Sequence, residues 1–238
     1  IIKEAKKMKK GKLIAIEGTD CSGKETQTNL LIQKLRQQGI GVQNFSFPNY
    51  HSPTGKIIGG PYLGKENYGS CYFEEGSVNV DPKVASLYYA ADRKYNISKI
   101  NFLLENGFNV ILDRYIYSNM AHQGGKIEDE KERNKMYEWL DKLEFDLLEL
   151  PKPDITLFLH MPYEAAATLK QNRNEIADGH EKDPEYLKKA EKAYIEIAKR
   201  YNFEIIECAS GSTPKTKEEI STLVYEKLKE NWEELRLP

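Results

Sequence analysis

Seven residues decide how the rest of this chain is read: Gly18-Thr19-Asp20-Cys21-Ser22-Gly23-Lys24. They follow the apolar run Leu13-Ile14-Ala15-Ile16 and precede a segment, 25–38, in which apolar residues recur with helical spacing. A strand, a glycine loop and a helix in that order direct successive backbone N–H groups and the helix N-terminus at one anion. The stretch therefore predicts a phosphate-binding loop, in which Lys24 bridges the outer phosphates of a nucleotide. An ordinary strand-to-helix turn is disfavoured because both flanking elements match.

The residue after Lys24 departs from the usual pattern. The full signature continues with Ser or Thr, whose hydroxyl binds Mg²⁺, whereas this chain has Glu25. Glu25 could bind Mg²⁺ itself, pair with a neighbouring cation, or mark an altered metal requirement. The stretch thus predicts the phosphate cradle without its usual metal ligand. The nucleotide-binding candidates are Gly18, Cys21, Ser22, Gly23, Lys24, Glu25 and Thr26.

Composition narrows the class of protein. The chain has 238 residues, enough for one domain of medium size, and its 35 basic and 37 acidic residues give a net charge of −2. This balance does not favour a nucleic-acid partner. Its three cysteines are far apart and odd in number, which suits neither a disulfide framework nor a zinc cluster. With no apolar run of membrane-spanning length, we expect a cytoplasmic protein without a membrane partner.

The order of the predicted elements indicates an α/β fold. Strands that alternate with helices favour a parallel sheet with helices on both faces. Residues 114–126 are expected to form a loop. We expect residues 1–11 to be an N-terminal extension and residues 12–238 to be one domain. The predicted strands are 13–16, 42–47, 109–113, 154–160 and 203–208, and the predicted helices are 25–38, 54–63, 82–105, 128–150, 163–171, 184–201 and 216–235.

Three further residues, one at the end of a strand and two on a helix, are candidates for the same site as the glycine loop. In open parallel sheets, ligands bind outside the carboxyl ends of the strands, so Asp113 should face the same crevice as the loop. Tyr89 and Arg93 are four residues apart and share one face of a helix.

A GTPase is disfavoured because the guanine-reading Asn-Lys-x-Asp is missing: Asn134-Lys135 lies in a predicted helix and lacks the Asp.

Five motifs, from about residue 12 to about residue 230, together resemble the thymidylate kinase family. Their combination is more specific than any one of them. The resemblance implies a P-loop NTPase-type five-stranded parallel sheet, transfer of the ATP γ-phosphoryl group to dTMP, a requirement for Mg²⁺, and a homodimer. The motifs are Gly18-Thr19-Asp20, Phe47-Pro48, Ala91-Asp92-Arg93, Asp113-Arg114-Tyr115 with Ser118, Ala121 and Gln123, and Leu150-Pro151-Lys152-Pro153-Asp154.

The resemblance also assigns roles to individual residues. Arg93 and Arg114 grip the acceptor phosphate, and Asp113 is associated with the metal, together with Glu25. The simpler alternatives are that Arg93 is a solvated surface arginine, that Asp113 caps a turn and that Asp20 satisfies local backbone donors. The remaining substrate-side candidates are Asp20 at the deoxyribose 3′-hydroxyl, Tyr89 on the thymine ring, Gln123 near the pyrimidine, and Phe47 and Pro48.

Residues 171–183 resemble the lid that closes over ATP, with Arg173 as the candidate for a catalytic cation. A flexible helix connection is the alternative for this segment. The chain also departs from the family where Asn49-Tyr50 follows Phe47-Pro48, because members usually supply an arginine there. His122 stands where many members have Tyr. The missing arginine at Tyr50 leaves open a kinase of another deoxynucleotide or deoxynucleoside. Glu25 and the single arginine of residues 171–183 leave open a nucleotide-binding regulator that has lost turnover.

Overall fold

The computed structural model describes residues 9–170 and 183–233. Its centre is a five-stranded parallel sheet in the order β2-β3-β1-β4-β5, which confirms the predicted fold class. β1 lies in the middle, so the glycine loop that follows it is flanked by strands on both sides. The strands are β1 (Leu13–Gly18), β2 (Val42–Ser46), β3 (Asn109–Asp113), β4 (Ile155–His160) and β5 (Glu204–Glu207).

Helices cover both faces of this sheet, as the alternation of elements predicts. Asp81 caps α3 by accepting hydrogen bonds from the backbone N–H groups of Lys83 and Val84, and Pro82 takes the first helical position. Thr216 and Glu219 form a capping box that begins α8. The helices are α1 (Lys24–Gln37), α2 (Pro53–Ile57), α3 (Pro82–Glu105), α4 (Ile116–Gly124), α5 (Glu130–Asp141), α6 (Tyr163–Lys170), α7 (Pro184–Arg200) and α8 (Lys217–Asn231).

The two sides of β1 belong to two different hydrophobic cores. Leu13 and Ala15 pack with α3, α4, α5 and α7. Ile14 and Ile16 pack with α1, α6 and α8. Alternate residues of a strand point to opposite faces, so a strand buried on both faces must be apolar throughout. The run Leu13-Ile14-Ala15-Ile16 meets that condition and fixes β1 at the centre of the domain.

The expected loop at 114–126 is wrong, because α4 occupies most of it. Eight of its nine residues are buried, and His122 is the exception. A helix buried on nearly all sides has no solvent-exposed polar face and therefore lacks the amphipathic pattern by which helices are recognised in a sequence. This helix places several polar side chains at the candidate site.

The predicted helix 128–150 is also not regular throughout. α5 ends at Asp141, and a π-helical segment, Lys142–Leu147, follows it. A π-turn adds a residue to the turn and rotates the side chains beyond it. Leu147, expected in the apolar row, is therefore 67% exposed, whereas Glu144 is turned fully into the interior.

A short hairpin follows β5 and was not expected from the sequence. Its strands are β6 (Ala209–Ser210) and β7 (Thr213–Pro214), and Gly211 takes a positive φ of 60° in the turn between them.

Within the described ranges, no helix combines the length and the apolar character that crossing a membrane requires.

The strand order creates a crevice at one edge of the sheet. The chain leaves β1 towards β2 and leaves β3 towards β4, in opposite directions from two adjacent strands. Ligands bind outside the carboxyl ends of strands at such a point. The register places Ile16 beside Asp113 and Asp113 beside Ser46, so three strand ends meet there.

Candidate active site

A cavity of about 300 Å³ lies at this carboxyl edge. Its wall combines the glycine loop, the ends of β2 and β3, one face of α3 and one face of α4. Among the residues that line it are three of the predicted cations, Lys24, Arg93 and Arg114. These cations come from three different elements, yet they converge on one space.

The backbone of the glycine loop requires its two glycines. A Cβ on Gly18 would lie 2.8 Å from the carbonyl oxygen of Leu159 in the neighbouring strand β4, which is closer than side chains tolerate. Gly23 has a φ of 76°, in the left-handed region, directly before α1. Thr19 fixes the loop to the chain beyond β4, because its Oγ1 donates to the Met161 carbonyl and accepts from the Met161 N–H.

Lys24 is held against the loop that it follows. Its Nζ donates a hydrogen bond to the Thr19 carbonyl oxygen at 2.7 Å, and its side chain is buried. Burial lowers the pKa of Lys24 to about 8, although the neighbouring carboxylates of Asp20 and Asp113 oppose this shift. The protein's own groups therefore do not fully stabilise the ammonium group, and a phosphate would complete its stabilisation.

Arg114 takes an unusual backbone conformation at the end of β3. Its φ of 65° lies in the left-handed region, and its backbone N–H donates to the Ile16 carbonyl. The guanidinium group pairs with Asp20 at 3.2 Å and lies 3.3 Å from both the Ser118 Oγ and the Tyr194 hydroxyl oxygen. The strained conformation and these partners together aim the arginine at the glycine loop.

Glu17 is a buried carboxylate below this arginine, and the sequence analysis did not single it out. It is fully buried in β1 and accepts hydrogen bonds from the Ser118 Oγ and the Tyr115 N–H. Burial raises the pKa of Glu17, while Ser118 and the positive charge of Arg114 counteract that rise. The signal in the sequence that could have identified Glu17 was a single carboxylate within an otherwise apolar strand.

Arg93 is paired inside the protein, not solvated. Its side chain is 2% exposed, and Nε and Nη2 both donate to the carboxylate of Glu144. Burial alone would lower the pKa of Arg93, but Glu144 raises it, so the arginine stays charged. Glu144 belongs to the π-helical segment Lys142–Leu147. The alternative of a surface arginine is therefore wrong.

Asp92, the residue before Arg93, fastens the chain that follows β2 to α3. It is fully buried and accepts hydrogen bonds from the Asn49 backbone N–H, the Ser52 Oγ and the Thr54 Oγ1. Asn96 adds a further hydrogen bond from its Nδ2. This cluster holds residues 49–54 against the cavity wall and sets the position of the side chains there.

Apolar and aromatic side chains from β2 and α3 also line the cavity. Phe47 and Pro48 contribute from the end of β2, and Tyr89 contributes from α3. Asn119 of α4 also lines the cavity, and the sequence analysis missed it because the region read as a loop. Gln123, one helical turn later, is fully buried and does not line the cavity, and its side-chain amide makes no hydrogen bond with the described residues. Its predicted place near the pyrimidine stays a prediction.

The two candidate metal ligands, Asp113 and Glu25, both line the cavity. Asp113 is half-buried beside the cations, and Glu25 is exposed at the start of α1. Among the described residues, no group of three or more His, Cys, Asp or Glu side chains is arranged to hold a metal ion. These two carboxylates suit an ion such as Mg²⁺, which keeps several waters and takes further ligands from a nucleotide's phosphates.

Comparisons with known proteins agree on one family. A family model for thymidylate kinase matches residues 16–220. The thymidylate kinase of Plasmodium falciparum is 31% identical over 190 residues, which cover 80% of this chain and 79% of that protein. The chain belongs to the thymidylate kinase family. The thymidylate kinase of Schizosaccharomyces pombe is 33% identical over 182 residues, which cover 76% of each protein.

A solved structure supports the same assignment at the level of the fold. The structure of thymidylate kinase from Candida albicans superposes with a TM-score of 0.72 at 28% identity, covering 93% of this chain and 92% of that chain. The family predicted from the sequence is confirmed. Thymidylate kinases are nucleoside monophosphate kinases that use ATP as phosphoryl donor, so the chain is a phosphotransferase.

Most of the predicted site residues meet at this thymidylate kinase cavity. Those that line it are Asp20, Cys21, Gly23, Lys24, Glu25, Thr26, Phe47, Pro48, Tyr89, Arg93, Asp113 and Arg114. Gly18 and Ser22 shape the loop without lining the cavity. Arg173 and the lid segment up to residue 182 lie outside the described residues, so their roles stay predictions.

The pKa of Lys24 leads to a prediction about pH. ATP phosphates next to Nζ favour the ammonium form, so binding should take up a proton once the empty protein has lost it. Without added metal, we expect the ATP dissociation constant to stay constant below about pH 7.5 and to rise by up to about tenfold per pH unit above pH 8. Calorimetric titration in buffers of different ionisation enthalpy measures both the affinity and the proton uptake.

Lys24→Arg provides the matched control, because arginine stays charged throughout this range. Its ATP affinity should not show the alkaline loss. A wild-type profile that stays flat above pH 8, or an identical loss in Lys24→Arg, would contradict the assignment of this titration to Lys24.

Proposed function

We propose that this protein transfers the γ-phosphoryl group of ATP to dTMP, giving dTDP and ADP. The observation that carries the proposal is that the glycine loop with Lys24 and the arginine-bearing wall line one cavity. Phosphoryl transfer depends mainly on positioning and on neutralising charge, so a kinase needs donor and acceptor sites that share one space. Membership of the thymidylate kinase family supplies the identity of the two substrates.

The two ends of the cavity suit the two nucleotides. The backbone N–H groups of the loop and Lys24 bind the phosphates of ATP. Phe47 and Tyr89 offer flat apolar surfaces for a base, and Arg114 lies between them and the loop, where the two phosphate groups meet. Asp20, which pairs with Arg114 at 3.2 Å, is placed to accept a hydrogen bond from the deoxyribose 3′-hydroxyl.

Arg93 contributes differently from a solvent-exposed arginine. Two of its donor nitrogens are already bound by Glu144, which orients the guanidinium plane and compensates its charge. Its role at the acceptor phosphate therefore rests on a rigid, partly neutralised group. Such a group orients a substrate well, because no side-chain freedom is lost when the substrate binds.

Asp113 and Glu25 are the residues that would hold Mg²⁺. When it is bound, the ion supplies positive charge against the phosphates of ATP. The carboxylates themselves would otherwise repel those phosphates, by on the order of 4 kcal/mol for a pair about 4 Å apart at an effective dielectric of about 20. Glu25 makes no ion pair with any described residue, which leaves its carboxylate available to a cation.

Glu25→Thr tests this role. The substitution restores the hydroxyl that the usual signature carries, so we expect activity to be kept and the concentration of Mg²⁺ that gives half-maximal rate to change by about threefold or more. Glu218→Thr, on the exposed start of α8, is the matched control. Superimposable Mg²⁺ titrations of wild type and Glu25→Thr would remove Glu25 from the metal site.

A broader acceptor range is the second candidate function. The solved Candida albicans enzyme is described as having a broad substrate specificity. In this chain, Asn49-Tyr50 occupies the place where the family usually supplies an arginine. Both observations favour testing other deoxynucleotides as acceptors. The regulator hypothesis has less support, because the loop, Lys24 and both arginines converge on one cavity.

The deciding experiment measures ADP release with dTMP, dUMP, dCMP, dGMP and thymidine as acceptors. We expect the highest kcat/KM with dTMP and a loss on the order of a hundredfold or more in Lys24→Ala, because that change removes a cation from the transferring phosphates. Lys56→Ala, at an exposed position of α2, should keep full activity. Tight ATP binding with no transfer to any monophosphate would instead identify a regulator.

We also propose that the protein forms a homodimer through one face of α3. Val84, Leu87, Tyr95 and Phe102 lie along a single stripe of this helix and are 42% to 65% exposed. The helix has 24 residues and is therefore about 36 Å long. An exposed apolar stripe of that length on a soluble domain is typical of a protein interface. The mirrored stripe of a second copy is a matching surface for it.

A charge within the stripe should separate the two copies. We expect wild type to elute with the mass of two chains in size-exclusion chromatography with light scattering, and Leu87→Glu to shift towards one chain. Tyr72→Glu, at an exposed position outside α3, should remain dimeric. A wild-type protein with the mass of one chain, or a dimer that Leu87→Glu leaves intact, would contradict this interface.

A further inference from the structure

A fourth basic side chain, Lys65, lines the same cavity, and nothing in the sequence pattern singled it out. It comes from the segment after α2, where a π-helical turn, Ile58–Tyr62, is followed by an irregular loop. Its Nζ lies 5.1 Å from the centre of the Tyr50 ring. That distance is within the range of a cation–π interaction. Lys65 thus reaches the cavity over the aromatic ring that follows Phe47-Pro48-Asn49.

The main chain at Lys65 is fixed on both sides. Its backbone N–H donates to the Gly59 carbonyl at 2.8 Å, and its carbonyl accepts from the Tyr68 N–H at 2.8 Å. Gly64, directly before it, takes a φ of 65°, which a glycine adopts without strain. Leu63 is buried, so it anchors the chain at this point. These constraints set where the lysine side chain starts.

The ring beneath the ammonium group is also held in place. Tyr50 packs against Tyr68 with ring centres 5.4 Å apart. Gly59 forms the floor under both rings, since an added Cβ would lie 3.0 Å from Tyr68 and 3.1 Å from Tyr50. The chain leading into Tyr50 is fastened to Asp92 through the Asn49 N–H. Lys65 therefore rests on a rigid support.

The charge balance of the cavity calls for a cation at this wall. A phosphate monoester carries about −1.5 to −2 charges at neutral pH. Arg93 is compensated by Glu144, and Arg114 is paired with Asp20. Asp113 and Glu25 add further negative charge to the cavity wall. Two partly neutralised arginines are a weak match for such an anion, so a further cation on the cavity wall would strengthen its binding.

We propose that Lys65, held over Tyr50, binds the phosphate group of the acceptor nucleotide. The proposal rests on the proposed function, because it assigns Lys65 to the acceptor half of that site. Lys65 lies over Tyr50, which closely follows Phe47 and Pro48, the candidates for binding the acceptor, and this contact points to the acceptor and not to ATP. The ammonium group donates hydrogen bonds to the non-bridging oxygens of the acceptor phosphate.

The test compares acceptors with and without a phosphate. Lys65→Met keeps the aliphatic length of the side chain and removes its charge. In calorimetric titration we expect the dissociation constant for dTMP to rise roughly ten- to a hundredfold, the worth of one charge-assisted hydrogen bond. The dissociation constant for thymidine, measured by competition against dTMP, should change by less than about twofold, since thymidine lacks the group that Lys65 binds. Affinity for ATP should stay unchanged.

Two variants complete the set. Lys56→Met, an exposed lysine of the preceding helix, should bind dTMP as wild type does. Lys65→Arg should retain most of the dTMP affinity, because it restores a cation at the same position. Unchanged dTMP affinity in Lys65→Met, an equal loss for thymidine, or a loss for ATP as large as the loss for dTMP would overturn the proposal.

The support under the lysine is tested separately at Tyr50. Tyr50→Phe keeps the ring and should leave the dTMP affinity within about threefold of wild type, whereas Tyr50→Leu should weaken it by about three- to tenfold. Equal affinity in both variants would overturn the role of the ring in holding Lys65.

The role of Lys65 and the proposed function can fail separately in these measurements. A wild-type protein that phosphorylates dTMP while Lys65→Met binds and turns over dTMP equally well would overturn the role of Lys65 alone. A wild-type protein that transfers no phosphoryl group to dTMP would overturn the proposed function itself.

Discussion

Compensation of buried positive charge is the constraint on which this site depends. Moving a cation out of water costs several kcal/mol unless a nearby anion or a set of hydrogen bonds replaces the lost hydration. The protein meets that requirement with groups from distant parts of the chain. Glu144 of the π-helical segment binds Arg93, and Asp20 of the glycine loop binds Arg114. The cations can therefore stand fixed around a cavity before any nucleotide is bound.

This arrangement explains how the fold serves phosphoryl transfer. Each cation is locked by its partner, so the enzyme pays little conformational entropy when the substrates arrive, and the charge that develops on the transferring group meets donors already in place. Lys24 is the exception that the function needs. Among the described residues, its Nζ donates a hydrogen bond to the Thr19 carbonyl alone, and its pKa is lowered, so the phosphates of ATP complete its environment. The preorganised arginines orient the substrates, and the incompletely stabilised lysine contributes to the binding of ATP.

The sequence predicted those parts of the molecule that follow from local rules. The glycine loop, the Asp81-Pro82 helix start and the parallel sheet all have short-range signals, and the structure has them where they were expected. The features that the sequence did not predict have a common physical cause. α4 is buried on nearly every side and has no solvent-exposed polar face, while the pairing of Glu144 with Arg93 joins residues that are 51 positions apart in the chain. Long-range pairings of this kind, like the contact of Lys65 with Tyr50, leave no periodic trace in one sequence.

The most direct measurement of the central claim uses a single molecule that spans both sites, with adenosine and thymidine joined through five phosphates. Calorimetric titration and competition against each nucleotide report its stoichiometry and its affinity. The account predicts that one molecule binds per chain, displaces both ATP and dTMP, and binds at least about a hundredfold more tightly than either, because linking two ligands of one cavity makes the second binding event intramolecular. A compound that displaces only one nucleotide, or that binds no more tightly than ATP alone, would show that the cations do not share one site.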